Sequence, residues 1–121
     1  MMQENFVKQS LTDYKKGIGQ LQEQLPHVVE TYNAFTEACF QDGALSKKEK
    51  HLIALALGVY TNDEYCIVYH TKGACDQGAS AQEVLEAACV SSAFGGGMAM
   101  SQAATLVQQN LSQIQGQNLS H

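Results

Sequence analysis

Apolar residues near the start of the chain recur in alternating steps of four and three: Val7, Leu11, Tyr14, Ile18, Leu21 and Leu25. That spacing keeps one face of a helix apolar and predicts a helix over roughly residues 4–24. Pro26 suits the first turn of a second helix, where a missing N–H costs nothing. Val28, Tyr32, Phe35 and Cys39 form its apolar stripe until Asp42-Gly43 breaks the pattern.

Ser46 followed by Glu49 reads as a capping box. It opens the segment HLIALALGVY, apolar almost all round, which predicts a helix covered by neighbours on several sides. Thr61 with Glu64 reads as a second box, opening a helix that runs to about Gln77 and stops at Gly78. Ser80 with Glu83 is a third, opening VLEAACVSSAF. Gly95-Gly96-Gly97 interrupts, and Met98 to about Ile114 is helical again. The glycine triplet suits a helix break or a close helix crossing. A ligand-facing amide loop is the other reading, but no GK[ST] follows to make a phosphate loop. Strand-period alternation, linkers and repeats do not appear. The expectation is an all-α helical bundle of about six helices, a single domain over 1–121.

Cys66 and His70 fall four apart on the helix predicted after Thr61, so they share a face. An imidazole beside a thiol can take its proton and leave the thiolate, the nucleophilic form. A position near a helix start also favours the anion. Cys66 is therefore expected to be the most reactive cysteine, unless burial in an apolar core opposes both effects. Asp63 lies three residues before Cys66 and could orient His70, although a first-turn acid that caps the helix is the plainer role. His51, on the preceding helix, could face His70 across the helix pair as a second proton-transfer group, or be a helix-end histidine. Cys75 is nine residues beyond Cys66 and points away from it, while Cys39 and Cys89 fall in apolar stripes and read as core.

Composition narrows the functional classes. The net charge is -5 and no basic block offsets it, which argues against nucleic-acid phosphates and anionic membrane surfaces as partners. No apolar run is long enough to span a bilayer. The start, MMQENFVKQS, lacks the pattern of a secretory signal, so a cytoplasmic location with four reduced thiols is expected. Without CxxC or HxxxH spacing, neither a metal nor another cofactor is expected.

The segment LSKKEKHLIALALGVYTNDEYCIVYHTKGACDQGAS, followed by AFGGGMA, resembles the carboxymuconolactone decarboxylase / alkyl hydroperoxidase D-like family over residues 45 to about 107. The resemblance implies an all-α fold that assembles as a homo-oligomer: dimer, trimer or hexamer. It also implies one of two activities. One branch decarboxylates a lactone in aromatic catabolism. The other is a thiol peroxidase or disulfide reductase partner using CxxCxxxH with an upstream glutamate. Carried onto this chain, the second cysteine falls on Cys66 and the histidine on His70. Asp63 stands at the first cysteine, and His51 at the glutamate. The dithiol cycle of that motif cannot then run here. Cys66 would form a sulfenic acid and need an external thiol reductant. The first expectation is a peroxidase-like oxidoreductase with Cys66 as thiol, His70 as base, and His51 with Asp63 as relay. The second is a decarboxylase-like enzyme on a small organic acid or lactone, with His70 as proton donor. The third is a non-catalytic oligomeric member of the family.

Overall fold

A computed structural model describes residues 6–119, with side chains described for residues 6–115. The helices are α1 (Phe6–Gln24), α2 (Pro26–Cys39), α3 (Lys47–Thr61), α4 (Glu64–Asp76), α5 (Ala81–Gly95), α6 (Gly97–Gln102) and α7 (Gln108–Leu119). A π-helical turn, Ala103–Val107, joins α6 to α7 without a break, so the described residues form six continuous rods and no strand. The all-α expectation holds.

Local chemistry sets the helix starts. Ser46 and Glu49 close a reciprocal box at α3, with Glu49 N–H to Ser46 Oγ at 3.0 Å and Ser46 N–H to Glu49 Oε1 at 2.8 Å. Ser80 and Glu83 repeat it at α5, at 3.1 and 2.9 Å. The box expected at Thr61 does not form. Thr61 ends α3, Asn62 takes the left-handed cap at φ 59°, and Asp63 becomes the N-cap of α4 by accepting from the Cys66 amide. A two-residue link between helices therefore spends Asn62 on one terminus and Asp63 on the next. The glycine triplet is the helix break that its composition suggests. Gly96 sits at φ 68°, a region open to glycine, between the end of α5 and the start of α6.

The core lies where α3, α4, α5 and the last rod meet. Leu55, Val59, Ile67, Val84 and Val107 are fully enclosed there. Ala74, Ala88 and Ala99 fill it between them, and their small side chains let the helices approach closely. Val7, Val68 and Ile114 tie the start of α1 to α4 and α7.

Three expectations fail on burial. The α2 stripe is exposed, with Val28 at 55%, Tyr32 at 56% and Phe35 at 66%. Cys39 and Cys89 are exposed rather than core. In α3, His51, Leu55, Gly58 and Val59 are buried, but Ile53, Leu57 and Tyr60 face outward. The reason is common to all three. A 121-residue chain has too few helices to cover every apolar face it carries.

Candidate active site

The site is built on the α3–α4 pair, and two glycines set its closeness. A side chain at Gly58 would lie 3.0 Å from Cys66 Cβ and 3.3 Å from the Ile67 amide. A side chain at Gly73 would lie 2.6 Å from both Cε1 and Nδ1 of His51. Gly73 is thus the seat on which the His51 ring rests, one helical turn past His70. The ring reaches His70 across the helix pair, and the two Nδ1 atoms lie 3.1 Å apart. Phe40, at the C-cap of α2, stacks parallel to His70 at 5.4 Å and tilts over His51 at 4.8 Å. Tyr69 meets His70 edge-on at 5.1 Å.

These groups border a cavity of about 720 Å³ between α1, α2 and the α3–α4 pair. Tyr14 of α1 lies across Tyr65 and Tyr69 at 6.3 Å from each. Tyr32 and Phe40 form the opposite side. The charged groups on the wall are Lys47, Glu37 and Asp63.

Burial governs the titrating groups. It lowers His70 to about 4, helped by His51 and opposed by Asp63. It lowers His51 as well, with Lys47 pushing the same way and Asp76 against. Both imidazoles are therefore neutral at pH 7. Burial also raises the Cys66 thiol to about 11, and Asp63 adds to this by accepting a hydrogen bond from it and by its negative charge. The same carboxylate takes the Cys66 amide at 3.2 Å. The expected activation of Cys66 by the helix start and by His70 is outweighed, because His70 is a neutral ring turned to His51.

Cys66, His70, His51 and Asp63 all line this one cavity. The pairing differs from the Cys66–His70 contact that the spacing suggests. His70 pairs with His51, and Cys66 pairs with Asp63. Among the described residues no group of three His, Cys, Asp or Glu side chains is placed to hold a metal ion. Sequence reasoning missed Phe40, Gly73, Lys47 and the tyrosines. Two signals were available: Tyr65 and Tyr69 each precede a candidate residue, and Gly73 interrupts a helix three residues after His70. Nothing in the sequence brings Phe40 or Tyr14 to the site, because long-range packing puts them there.

The carboxymuconolactone decarboxylase family model matches residues 26–109, extending the resemblance back through α2. An uncharacterised protein of Cupriavidus necator is 30% identical over 91 residues, 75% of this chain and 80% of that one. Uncharacterised protein 4 of the cox locus of Paracoccus denitrificans is 36% identical over 74 residues, 61% of this chain and 67% of that one. Among solved structures, an apo carboxymuconolactone decarboxylase family protein from Legionella pneumophila superposes with a TM-score of 0.82 at 26% identity, covering 93% of this chain and 96% of that one. A family protein from Thermotoga maritima, for which a part in the antioxidative response has been suggested, superposes with a TM-score of 0.63 at 18% identity, covering 84% and 90%. At that identity the Thermotoga likeness is one of fold.

Proposed function

Because the chain belongs to the carboxymuconolactone decarboxylase family, we propose that it is an enzyme that moves a proton on a small organic substrate, with His70 and His51 as the working pair. The observation that carries this reading is the 3.1 Å contact between two neutral imidazoles. Of the two Nδ1 atoms, one must donate and the other accept. The donating ring then has a bare Nε2, a base, and the accepting ring has an Nε2–H, a donor. A proton taken at the first Nε2 can pass across the Nδ1 contact and leave from the second, each ring exchanging tautomers. Such a pair removes a proton at one point and returns one at another. It could also supply the proton that replaces carbon dioxide when a C–C bond breaks and leaves its electron pair on carbon. His70, which lines the cavity on the same helix as Cys66 and beneath Phe40, is the ring placed to meet the substrate.

The test is hydrogen exchange. A set of small unsaturated lactones and ketones is incubated with the protein in deuterium oxide, and C–H loss is followed by NMR. Wild type should accelerate exchange of at least one compound. His70→Ala and His51→Ala should each lose roughly a hundredfold or more of that rate. Cys66→Ala should stay within a few-fold.

A thiol-peroxidase reading is kept by two observations: Cys66 lies on the same cavity, and an antioxidative role has been suggested for the Thermotoga neighbour. In that reaction the sulfur attacks a peroxide oxygen, the O–O bond breaks, and water or an alcohol leaves. The sulfenic acid then condenses with one external thiol, and a second reduces the mixed disulfide. His70 turns to His51 and Cys66 turns to Asp63, so no base is paired with the thiol, and the geometry favours the proton-transfer reading. Thiol-dependent peroxide consumption abolished by Cys66→Ser, without any C–H exchange, would reverse the preference.

We also propose a homo-oligomer. The exposed apolar side chains on two separate helices, Phe35 of α2 at 66% and Phe94 of α5 at 76%, support it. A light-scattering mass near 13.1 kDa at micromolar concentration would oppose it. No helix among the described residues is long and apolar enough to cross a membrane.

A further inference from the structure

The wall of the cavity bears on what enters it. Five aromatic rings, Tyr14, Tyr32, Phe40, Tyr65 and Tyr69, face this one space. Tyr14 meets Tyr65 and Tyr69 at ordinary aromatic contact distances of 6.3 Å, yet all four tyrosines are about half-exposed. Flat faces and hydroxyls are thus open to a ligand, the faces to a planar ring and the hydroxyls to its oxygen atoms. The charges point the same way. Among the described residues, two carboxylates on the wall, Glu37 and Asp63, stand against one cation, Lys47, and the histidine pair adds no positive charge at pH 7. The carboxylate of Asp63 is fixed at the site by its cap on α4. A third or fourth carboxylate, brought in by a substrate, meets repulsion without a matching cationic clamp among the described residues.

We infer that the cavity selects an uncharged, flat ring compound bearing a ketone or enol oxygen, and discriminates against carboxylates, most strongly against dicarboxylates. The ring and its neutrality follow from the wall; the ketone or enol oxygen rests on the proton-transfer reading. A ketone and its enol differ by one proton moved between carbon and oxygen, with no other atom or electron gained or lost. That is the exchange a base and a donor in contact can perform. At about 720 Å³ the space admits a substituted ring with room to spare.

Three probes of one ring size test this by calorimetry at pH 7: neutral 4-hydroxyacetophenone, monoanionic 4-hydroxybenzoate and dianionic benzene-1,4-dicarboxylate. The neutral ring should bind roughly tenfold more tightly than the monoanion, and the dianion weakest of all. Glu37→Gln, a change at an exposed position, should narrow the gap between neutral and monoanionic rings to about threefold. Tyr32→Ala should weaken all three alike, with the melting temperature nearly unchanged. Equal or tighter binding of the dianion overturns the inference. So does a failure of every ring to bind, or a gap that Glu37→Gln leaves untouched. Binding is read without turnover. A protein that takes the neutral ring but shows no hydrogen exchange keeps the selectivity and loses the proton-transfer reading.

Discussion

The α3–α4 pair and the α1–α2 arm both border the cavity, but they are built differently. In α3 and α4, Leu55, Val59, Ile67 and Val68 are fully enclosed, and Gly58 and Gly73 let neighbouring groups press close. That pair carries His51, His70, Cys66 and Asp63. The arm turns at the single residue Leu25, and from residue 12 to residue 28 its residues are exposed, apart from a half-buried Ile18. It gives the site only walls, with Tyr14, Tyr32, Glu37 and Phe40 among them. Groups that must hold a 3.1 Å contact stand on the rigid pair, while groups that only shape the space come from the looser arm.

Truncation on the rigid side should cost most. Leu55→Ala leaves a cavity where no side chain is exposed, and should lose about 2–5 kcal/mol in urea unfolding. A loss as small as that of a surface change would mean the two regions are equally loose. Gly73→Ala is sharper. Alanine ordinarily favours a helix interior by up to about 1 kcal/mol, but here its methyl would take the space of the His51 ring. The substitution should cut the proton-exchange rate by at least about tenfold while leaving the helical circular-dichroism signal intact. His70, no longer beside His51, should titrate higher than about 4.

Sequence patterning makes the rigid half largely legible. The box at Ser46 fixes the start of α3, and the sequence picks out Cys66, His70, His51 and Asp63, all of which line the eventual site. Their pairing is legible only in part: His51 facing His70 is one of the readings the sequence offers, whereas Cys66 with Asp63 is not. Helical spacing puts His70 near Cys66, but only the α3–α4 approach permitted at Gly73 turns it toward His51. The arm is where patterning misleads. Val28, Tyr32 and Phe35 have the period of a buried stripe, yet periodicity reports that a face is apolar and not what covers it.

Acid and alkali should probe the rigid pair next. Below pH 6.5 the unfolded chain binds protons that the folded histidines refuse, so stability falls as pH drops from 6.5 toward about 4. On the alkaline side the folded chain keeps the Cys66 proton that the unfolded chain sheds above 9.0. Stability therefore falls again as pH rises from 9 to about 11, with Cys75 and Tyr14, both raised by burial, adding to the loss. Melting temperatures should be flat between these edges and drop on the order of 5 °C across each. His70→Asn should flatten the acid edge, and Cys66→Ala should reduce the alkaline one. A monotonic profile through both windows would contradict the burial of these groups. The smallest effect belongs to the arm. Phe35→Ala should change unfolding free energy of dilute protein by less than about 0.5 kcal/mol, and the loss should grow with protein concentration where Phe35 is covered in the proposed homo-oligomer.

The central claim is that His51 and His70 form one neutral, proton-sharing pair, and nitrogen-15 NMR of the imidazoles between pH 3 and 9 tests it most directly. The account predicts both rings neutral at pH 7, one protonated at Nδ1 and the other at Nε2, with neither gaining its second proton above pH 6.5 and His70 gaining it near pH 4. Two rings that both carry their proton on Nε2, or a His70 that becomes imidazolium at pH 6.5 or above, would contradict it.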